Sequence, residues 1–235
     1  MHARSARHEF PITNYGCRIS SVMPLPDLSA IEANCDPIVQ AIGREAVDVY
    51  GFLADEFARG SVVGNCVFQF TYRSFYRLDN AGLPDAFKSK YFDLLEESRT
   101  QPEIDLRKLV QELYAIPNRK GQHSLQFSFV TKLANTVNSH YPIYDSEVAN
   151  VFGFRAPVGT FDVRLGKYMA FHDNLRNTYS EILDGNLLQQ PRRAFRQVYA
   201  VPPERIPETK VLDFIFWSAG KRLSESRRRA TRSDG

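Results

Sequence analysis

The chain has 235 residues and a formal net charge of +3, with 43% hydrophobic and 12% aromatic residues. These proportions are typical of a globular protein and exclude a disordered or fibrous chain, and the length is sufficient for one domain or two tightly packed lobes. No run approaches the roughly 18 consecutive apolar residues of a membrane span, and the first residues lack the apolar region of a signal peptide. We therefore expect a cytoplasmic protein without a membrane partner.

Hydrophobic periodicity predicts helices along most of the chain. Residues 1–28 contain three prolines and are predicted to form an irregular N-terminal arm. Apolar residues then recur at helical spacing and predict helices over residues 37–59, 66–78, 84–99, 103–114, 146–152, 160–183, 191–199 and 207–223. The segment 66–78, CVFQFTYRSFYRL, is ambiguous because its aromatic and β-branched residues also favour a strand, and we predict a helix. No strand series or internal repeat is visible, so the predicted fold is all-α, a two-lobed helical bundle formed by residues 29–223.

The positive charge is concentrated at the C-terminus. Residues 221–235 carry six basic and two acidic side chains, which leaves a net charge of −1 for residues 1–220. The global charge therefore does not by itself predict a nucleic-acid partner. We predict that residues 224–235 form a disordered basic tail, a kind of segment that can add salt-sensitive affinity for phosphate groups.

The sequence gives no support for a metal site or for the common nucleotide-binding and hydrolase motifs. Cys17, Cys35 and Cys66 form an odd set without CxxC spacing, and the five histidines are scattered. No GxSxG, Walker or GxGxxG motif occurs. We therefore predict reduced, structural cysteines, no metal and no cofactor.

The best candidate for chemistry lies in residues 124–151, SLQFSFVTKLANTVNSHYPIYDSEVANV. In a helix, one face would be apolar and carry Phe127, Val130, Ala134 and Val137. The other would carry a polar stripe of Ser128, Lys132, Asn135 and Ser139. Lys132 is therefore expected to point away from the core. Pro142 disfavours the helical conformation at Tyr141, so the helix should end near residue 139 or 140, and Asp145 should open the next helix.

Lys132 and Asp145 allow two interpretations. A lysine amine that is kept deprotonated can attack a sugar or carbonyl carbon and form a Schiff base, and a neighbouring carboxylate can stabilise the developing positive charge. Alternatively, Lys132 is a solvated helix residue and Asp145 is an N-cap, with Glu147 in the first turn interacting favourably with the helix dipole. Spacing alone favours the second interpretation.

The order of elements around this pair adds a resemblance to a known family. A helix and a loop are followed by the helix with Lys132, a turn, and a helix opened by Asp145. That order resembles the helix-hairpin-helix DNA glycosylase superfamily, which includes endonuclease III and 8-oxoguanine glycosylase. The local match, within about 50 residues of the chain, consists of Lys132, Ala134, Asn135, Val137, Pro142, Asp145 and Val148. Two further stretches, RLDNAGL at 77–83 and LQFSF at 125–129, resemble bacterial proteins with an 8-oxoguanine-glycosylase-like fold.

The resemblance implies a DNA glycosylase that excises a damaged or modified base, in repair or in defence against phage. It implies double-stranded DNA as the partner, with the target base flipped out between aromatic or apolar walls, and a monomeric enzyme. Lys132 would attack C1′ and allow abasic-site lyase activity, and Asp145 would stabilise the sugar cation or activate the nucleophile. The residues predicted to bind DNA phosphates are Arg119, Lys120, Gly121, Gln122 and His123. Aromatic residues at helical spacing belong to the core more often than to a pocket, and the candidates for pocket lining are Phe68, Phe70, Tyr72, Phe75 and Tyr76.

The chain also departs from the family pattern. The hairpin motif leucine-proline-glycine-valine-glycine is replaced by IPNRKGQHSLQFSF, in which only Gly121 is available as the turn glycine. The interval of 13 residues between Lys132 and Asp145 is shorter than usual, and no four-cysteine cluster follows. These departures leave two other hypotheses open: a catalytically inactive DNA-binding module and an unrelated helical interaction protein.

Overall fold

The computed structural model describes residues 26–233, and side chains up to residue 229. Most of the predicted N-terminal arm, including Cys17, lies outside the described residues. The helices in chain order are α1 (Leu28–Ala33), α2 (Cys35–Ile42), α3 (Arg44–Arg59), α4 (Cys66–Tyr76), α5 (Asp85–Ser98), α6 (Leu106–Tyr114), α7 (Phe127–Val137), α8 (Ser146–Val151), α9 (Phe161–Asp184), α10 (Gln189–Tyr199) and α11 (Glu208–Ser233), with one 3₁₀ turn at Leu78–Ala81. Residues 26–233 contain no strand, so the predicted all-α class is confirmed.

Two helix boundaries near the N-terminal half differ from the prediction. The helix predicted over residues 37–59 is two helices, because Gly43 adopts φ +83° and separates α2 from α3. The apolar positions on either side continue at helical spacing, so the periodicity did not reveal the break. The ambiguous segment 66–78 is helical as predicted, and α4 ends at Tyr76 because Arg77 adopts the left-handed conformation with φ +59°.

The last helix is longer than predicted. We expected it to end at residue 223 and to be followed by a disordered tail, but α11 continues to Ser233. Its extension packs beside α8: Ser224 Oγ donates a hydrogen bond to Glu147 Oε2 at 2.5 Å, and Arg227 donates to Asn150 Oδ1 at 2.6 Å. These contacts to a helix more than 70 residues earlier in the chain are not visible in the local composition.

Two helices position the candidate site. α7 packs against α5 and α6, and α11 packs against α2, α8 and α10. The middle of α11 is buried, with Val211, Leu212, Ile215 and Phe216 fully enclosed. The site lies where α7 and α8 meet α11 and α4.

Within residues 26–233, no helix combines the length and the hydrophobicity that crossing a bilayer requires.

The contact between α8 and α11 depends on Gly220. A Cβ atom at this position would overlap the backbone carbonyl group of Glu147. The two backbones therefore approach each other more closely than any side chain would permit, and Gly220 fixes α8, which follows Asp145, against the last helix.

We predict that Gly220→Ala destabilises the protein by about 1–3 kcal/mol, because the added methyl group forces α8 and α11 apart. Gly166→Ala in α9 is the matched control, since a Cβ there has no atom within 4 Å. It should stabilise the protein by about 0.5–1 kcal/mol through the higher helix propensity of alanine. Urea unfolding of both variants measures the difference. Equal stability of Gly220→Ala and the wild type would contradict this packing.

Candidate functional site

The polar stripe of α7 is buried. Lys132 is only 9% exposed and Asn135 only 1%, so the side chain that we expected to point away from the core is buried and is not a solvated helix residue. Periodicity assigned the polar face to water, whereas in the fold this face meets polar groups of α11. The Lys132 amine donates a hydrogen bond to Ser128 Oγ at 2.9 Å, one helical turn earlier. It also lies 5.1 Å from the ring centre of Phe129.

Asp145 has a structural contact and a second contact with the lysine. Its Oδ1 accepts a hydrogen bond from the Glu147 amide at 2.9 Å, so it is the N-cap of α8. Its Oδ2 lies 3.8 Å from Lys132 Nζ, which makes an ion pair but is too long for a hydrogen bond. The predicted N-cap is therefore confirmed. The capping role leaves one carboxylate oxygen facing the amine.

Lys132 and Asp145 line one cavity of about 870 Å³. This volume is within the range of natural ligand pockets, about 300–1,000 Å³. The aromatic side chains that line it come from α4 and α11: Phe70, Phe75, Tyr76, Phe214 and Trp217. The other two candidate pocket aromatics, Phe68 and Tyr72, are fully buried in the core. The two site residues thus face one cleft, while their catalytic role stays a prediction.

The surroundings of Lys132 increase the fraction of neutral amine. Burial lowers the pKa of Lys132, because the ammonium ion loses its hydration. The negative charge of Asp145 acts in the opposite direction, and the positive charges of Lys210 and Arg77 lower the pKa further. A larger fraction of neutral amine at a given pH makes this lysine a better nucleophile than one in water.

A second lysine–aspartate pair lies on α11 beneath the cavity. Lys210 is 3% exposed and Asp213 is 4% exposed, and Lys210 Nζ lies 3.6 Å from Asp213 Oδ2. Burial lowers the pKa of Lys210 and raises the pKa of Asp213. Lys210 also lines the cavity. Sequence reasoning missed this pair, although two opposite charges three residues apart in the apolar run KVLDFIFW were an available signal.

The turn before Asp145 is held by four buried side chains. Asn135 Nδ2 donates to the Tyr141 carbonyl at 2.8 Å, and the hydroxyl of Thr131 accepts from the Tyr144 amide at 3.0 Å. Two more bonds come from other helices. His172 Nε2 donates to the Pro142 carbonyl at 3.0 Å, and Asp213 Oδ1 accepts from the Ile143 amide at 3.1 Å. Every residue of the turn 141–144 is thus fixed by one side chain from α7, α9 or α11.

The charge states of these partners fit their roles. Burial lowers the pKa of His172 to about 4, so it is neutral at pH 7 and carries its proton on the nitrogen that faces the carbonyl. Both carboxylate oxygens of Asp213 accept hydrogen bonds. In addition to the Ile143 amide, the donors are the Tyr179 hydroxyl at 2.9 Å and Asn135 at 3.3 Å. Asp213 therefore links α7, α9 and α11 to the turn that carries Asp145.

The predicted DNA-binding residues lie elsewhere. Arg119, Lys120, Gly121, Gln122 and His123 form an exposed turn that does not line the cavity. Gly121 adopts φ +74° and is a turn glycine, as predicted. The amide groups of residues 119–122 all donate hydrogen bonds to Asn118 or to the Gly82 carbonyl, at 2.9–3.1 Å. These four amides are therefore already paired within the protein, and a phosphate-binding role of the turn depends on its side chains and stays a prediction.

The described residues provide no cluster of ligands for a metal ion. Among residues 26–233, no three His, Cys, Asp or Glu side chains are grouped as a metal site requires. Cys35 is buried and Cys66 is exposed, and both are free thiols.

No protein-family model, no curated protein and no solved structure matches the chain. The interpretation of the site therefore depends on its own geometry and on the resemblance of the local sequence around Lys132 and Asp145.

We predict that two substitutions move the pKa of Lys132 in opposite directions. Asp145→Asn should lower it further, because the ammonium ion loses its nearest negative charge, and Lys210→Met should raise it, because a repelling positive charge is removed. NMR titration of ¹³C-methylated lysines measures both shifts. Asp85→Asn is the control, since that carboxylate pairs with Lys88. An unchanged Lys132 pKa in both site variants would contradict the arrangement.

We predict that Asp213→Ala destabilises the protein by about 3–5 kcal/mol at neutral pH, because it leaves the Lys210 charge buried and unpaired. The loss should shrink as pH rises. In the variant, the pKa of Lys210 in the folded state falls further below the usual lysine value. Between these two pKa values the unfolded state binds more protons than the folded state, so the stability of the variant increases with pH. Asp48→Ala, which removes the exposed partner of Arg44, should change stability by less than about 0.5 kcal/mol. Equal effects of the two substitutions in urea unfolding would refute the role of Asp213.

Proposed function

We propose that the protein is a DNA glycosylase that excises a damaged or modified base and uses Lys132 and Asp145 as its catalytic residues. The observation that carries the proposal is the buried Lys132 amine, 3.8 Å from a carboxylate oxygen at the wall of a cavity of about 870 Å³. Groups with perturbed pKa values cluster at functional sites, because catalysis needs protonation states that water does not favour. The proposal includes double-stranded DNA as the partner, a two-lobed glycosylase-like fold and a monomeric enzyme.

The proposed reaction requires only Lys132, the target nucleotide and proton exchange with solvent. The neutral Lys132 amine donates its lone pair to C1′ of the target nucleotide while the C1′–N glycosidic bond breaks, and the base leaves with the electron pair of that bond. The Lys132 Nζ atom then releases a proton, and the departed base takes up a proton from solvent. Opening of the sugar ring moves the C1′–O4′ bond pair to O4′, which is protonated, and leaves a protonated Schiff base between C1′ and Nζ.

Asp145 has a separate role in this reaction. Positive charge develops at the sugar as the base departs, and a preorganised carboxylate stabilises that charge more strongly in a partly buried site than in water. The hydrogen bond from the Glu147 amide and the fixed turn at residues 141–144 hold the carboxylate in place without reorganisation. The aromatic side chains of the cavity wall supply flat apolar surfaces of the kind that hold a flipped-out base.

The alternative is a catalytically inactive DNA-binding or protein-interaction module. It is favoured by the structural contacts of both residues, since Asp145 caps α8 and Lys132 donates to Ser128. A purely structural role does not require a lysine there, however. Burying an ammonium ion is unfavourable, and an apolar residue of similar size is often as stable or more so at such positions. We therefore prefer the catalytic interpretation.

We predict that borohydride traps the wild-type protein covalently on DNA, because reduction converts the Schiff base to a stable amine. The substrates are duplexes with candidate lesions, modified cytosines or a preformed abasic site. Lys132→Ala should abolish the adduct. Asp145→Asn should slow base release by about 100-fold or more, because asparagine preserves the N-cap but lacks the charge. Gel analysis of the adduct and of the released base measures both effects.

The control for this experiment is Lys88→Ala. Lys88 is also buried, but it pairs with Asp79 and Asp85 outside the cavity and should leave trapping and base release unchanged. Base release that survives Lys132→Ala but not Asp145→Asn would indicate a glycosylase without lyase activity. Equal activity in both site variants would refute the assignment of the site. Absence of both base release and adduct for the wild type on every substrate would favour the inactive module.

A further inference from the structure

Arg77 occupies an unusual backbone position at the wall of the cavity. It follows the last residue of α4 with φ +59° and ψ +33°, the left-handed region in which glycine is normally preferred. Its amide donates to carbonyl groups of the last turn of α4, so the conformation ends the helix. Among residues 26–233, three other non-glycine residues have positive φ, Asn186, Leu188 and Ala200, so the conformation alone does not indicate a function.

The surroundings of Arg77 distinguish it from those residues. It lines the same cavity as Lys132 and Asp145, and its positive charge acts on Lys132. In the part of the chain that the structure describes, its guanidinium group has no hydrogen bond or ion pair with the protein. Two lysines that line the cavity are engaged in ion pairs, Lys132 with Asp145 and Lys210 with Asp213. Arg77 is thus an exposed cation at the wall of the cavity that Lys132 also lines, with an unused set of donors.

We propose that Arg77 binds a phosphate group of the ligand that occupies the cavity. The inference rests on the proposed function in taking that ligand to be a nucleotide of DNA whose C1′ reaches Lys132. A guanidinium group is planar, stays charged at all relevant pH values, and donates two parallel hydrogen bonds to phosphate oxygens. A carboxylate would fit the same donors, but phosphates are the anionic groups nearest to C1′ in a nucleotide.

A second observation supports this assignment. Backbone amides are the other usual donors to DNA phosphates, and the turn at residues 119–122, where the family resemblance would place them, uses all four amides within the protein. A phosphate contact at this turn would therefore have to come from side chains. Lys221, another exposed cation of the cavity, lies 5.4 Å from the centre of the Trp217 ring, and of these two cations only Arg77 acts on the pKa of Lys132.

A purely structural explanation predicts a different outcome for one substitution. An arginine at the C-terminal end of a helix interacts favourably with the helix dipole, but glycine fits the left-handed conformation better. Arg77→Gly should therefore fold normally, with a melting temperature equal to or above that of the wild type. If the residue only terminates α4, Arg77→Gly will bind ligands as the wild type does. If it holds a phosphate, the same variant will be stable and will bind more weakly.

The test measures binding rather than catalysis. The probes are a duplex with a tetrahydrofuran analogue of the abasic site, which forms no Schiff base, and inorganic phosphate. We expect Arg77→Gly to bind the duplex about tenfold more weakly. The magnitude of the slope of log affinity against log salt concentration should decrease by about one, the change expected for the loss of one phosphate contact. Arg77→Lys, which keeps the charge but loses the paired donors, should bind the duplex with an affinity between those of the wild type and Arg77→Gly. Ala200→Gly is the matched control, because it relieves the same backbone conformation at the end of α10, away from the cavity.

The outcomes separate this inference from the proposed function. Wild-type duplex binding by Arg77→Gly with an unchanged salt slope would overturn the inference, as would an equal loss in Ala200→Gly. If the wild type does not bind the duplex but binds inorganic phosphate in a manner that requires Arg77, the phosphate site stands and the DNA partner is wrong. If it binds neither probe, the inference fails. Loss of borohydride trapping together with intact, Arg77-dependent duplex binding would count against the catalytic assignment alone.

Discussion

The position of Asp145 depends on the hydrogen bonds that fix the turn at residues 141–144. This turn is buried, and buried backbone groups without partners are strongly unfavourable, so each of its four residues is bonded to a side chain. The partners come from α7, α9 and α11. Asp213 contributes most, because its two oxygens join the turn, Tyr179, Asn135 and Lys210. Three helices from distant parts of the chain therefore determine the distance between the Asp145 carboxylate and the Lys132 amine.

The same network determines the electrostatics of the cavity. Lys132, Lys210 and Asp213 are buried within one region, beside the partly exposed Asp145, and burial lowers the pKa of both lysines although each has a carboxylate partner. Because both pairs lie beside one cavity, Lys210 acts on Lys132 in addition to burial, and both effects favour the neutral amine. Apolar residues of similar size are often as stable as buried charges at such positions. The proposed chemistry accounts for the lysine at position 132, whereas Asp213 has a structural role in holding the turn.

Local features of the sequence predicted much of the fold, and long-range contacts account for what they missed. The helices and the N-cap at Asp145 follow from apolar periodicity and from Pro142, which act within a few residues. The burial of Lys132 could not be predicted, because it results from tertiary packing: the polar face of α7 that includes Asn135 packs against Lys210 and Asp213 of α11, more than 70 residues later. The extension of α11 past residue 223 was missed for the same reason, since Ser224 and Arg227 find their partners on α8. The break at Gly43 was missed because it leaves the spacing of apolar residues undisturbed.

The distribution of donors around the cavity limits how a nucleic acid would approach it. The turn at 119–122 has no free amide and does not reach the cavity, whereas Arg77 at the end of α4 and the exposed part of α11 both line it. From Lys221 to Arg229, α11 carries five basic residues against Glu225 alone. Charge of this sign along a helix attracts phosphates over a distance of about one Debye length, roughly 10 Å. Under the proposed function, the DNA strand would therefore pass between α4 and α11, which places its sugar above Lys132 and makes the last helix, rather than the hairpin turn, the main contact with the backbone.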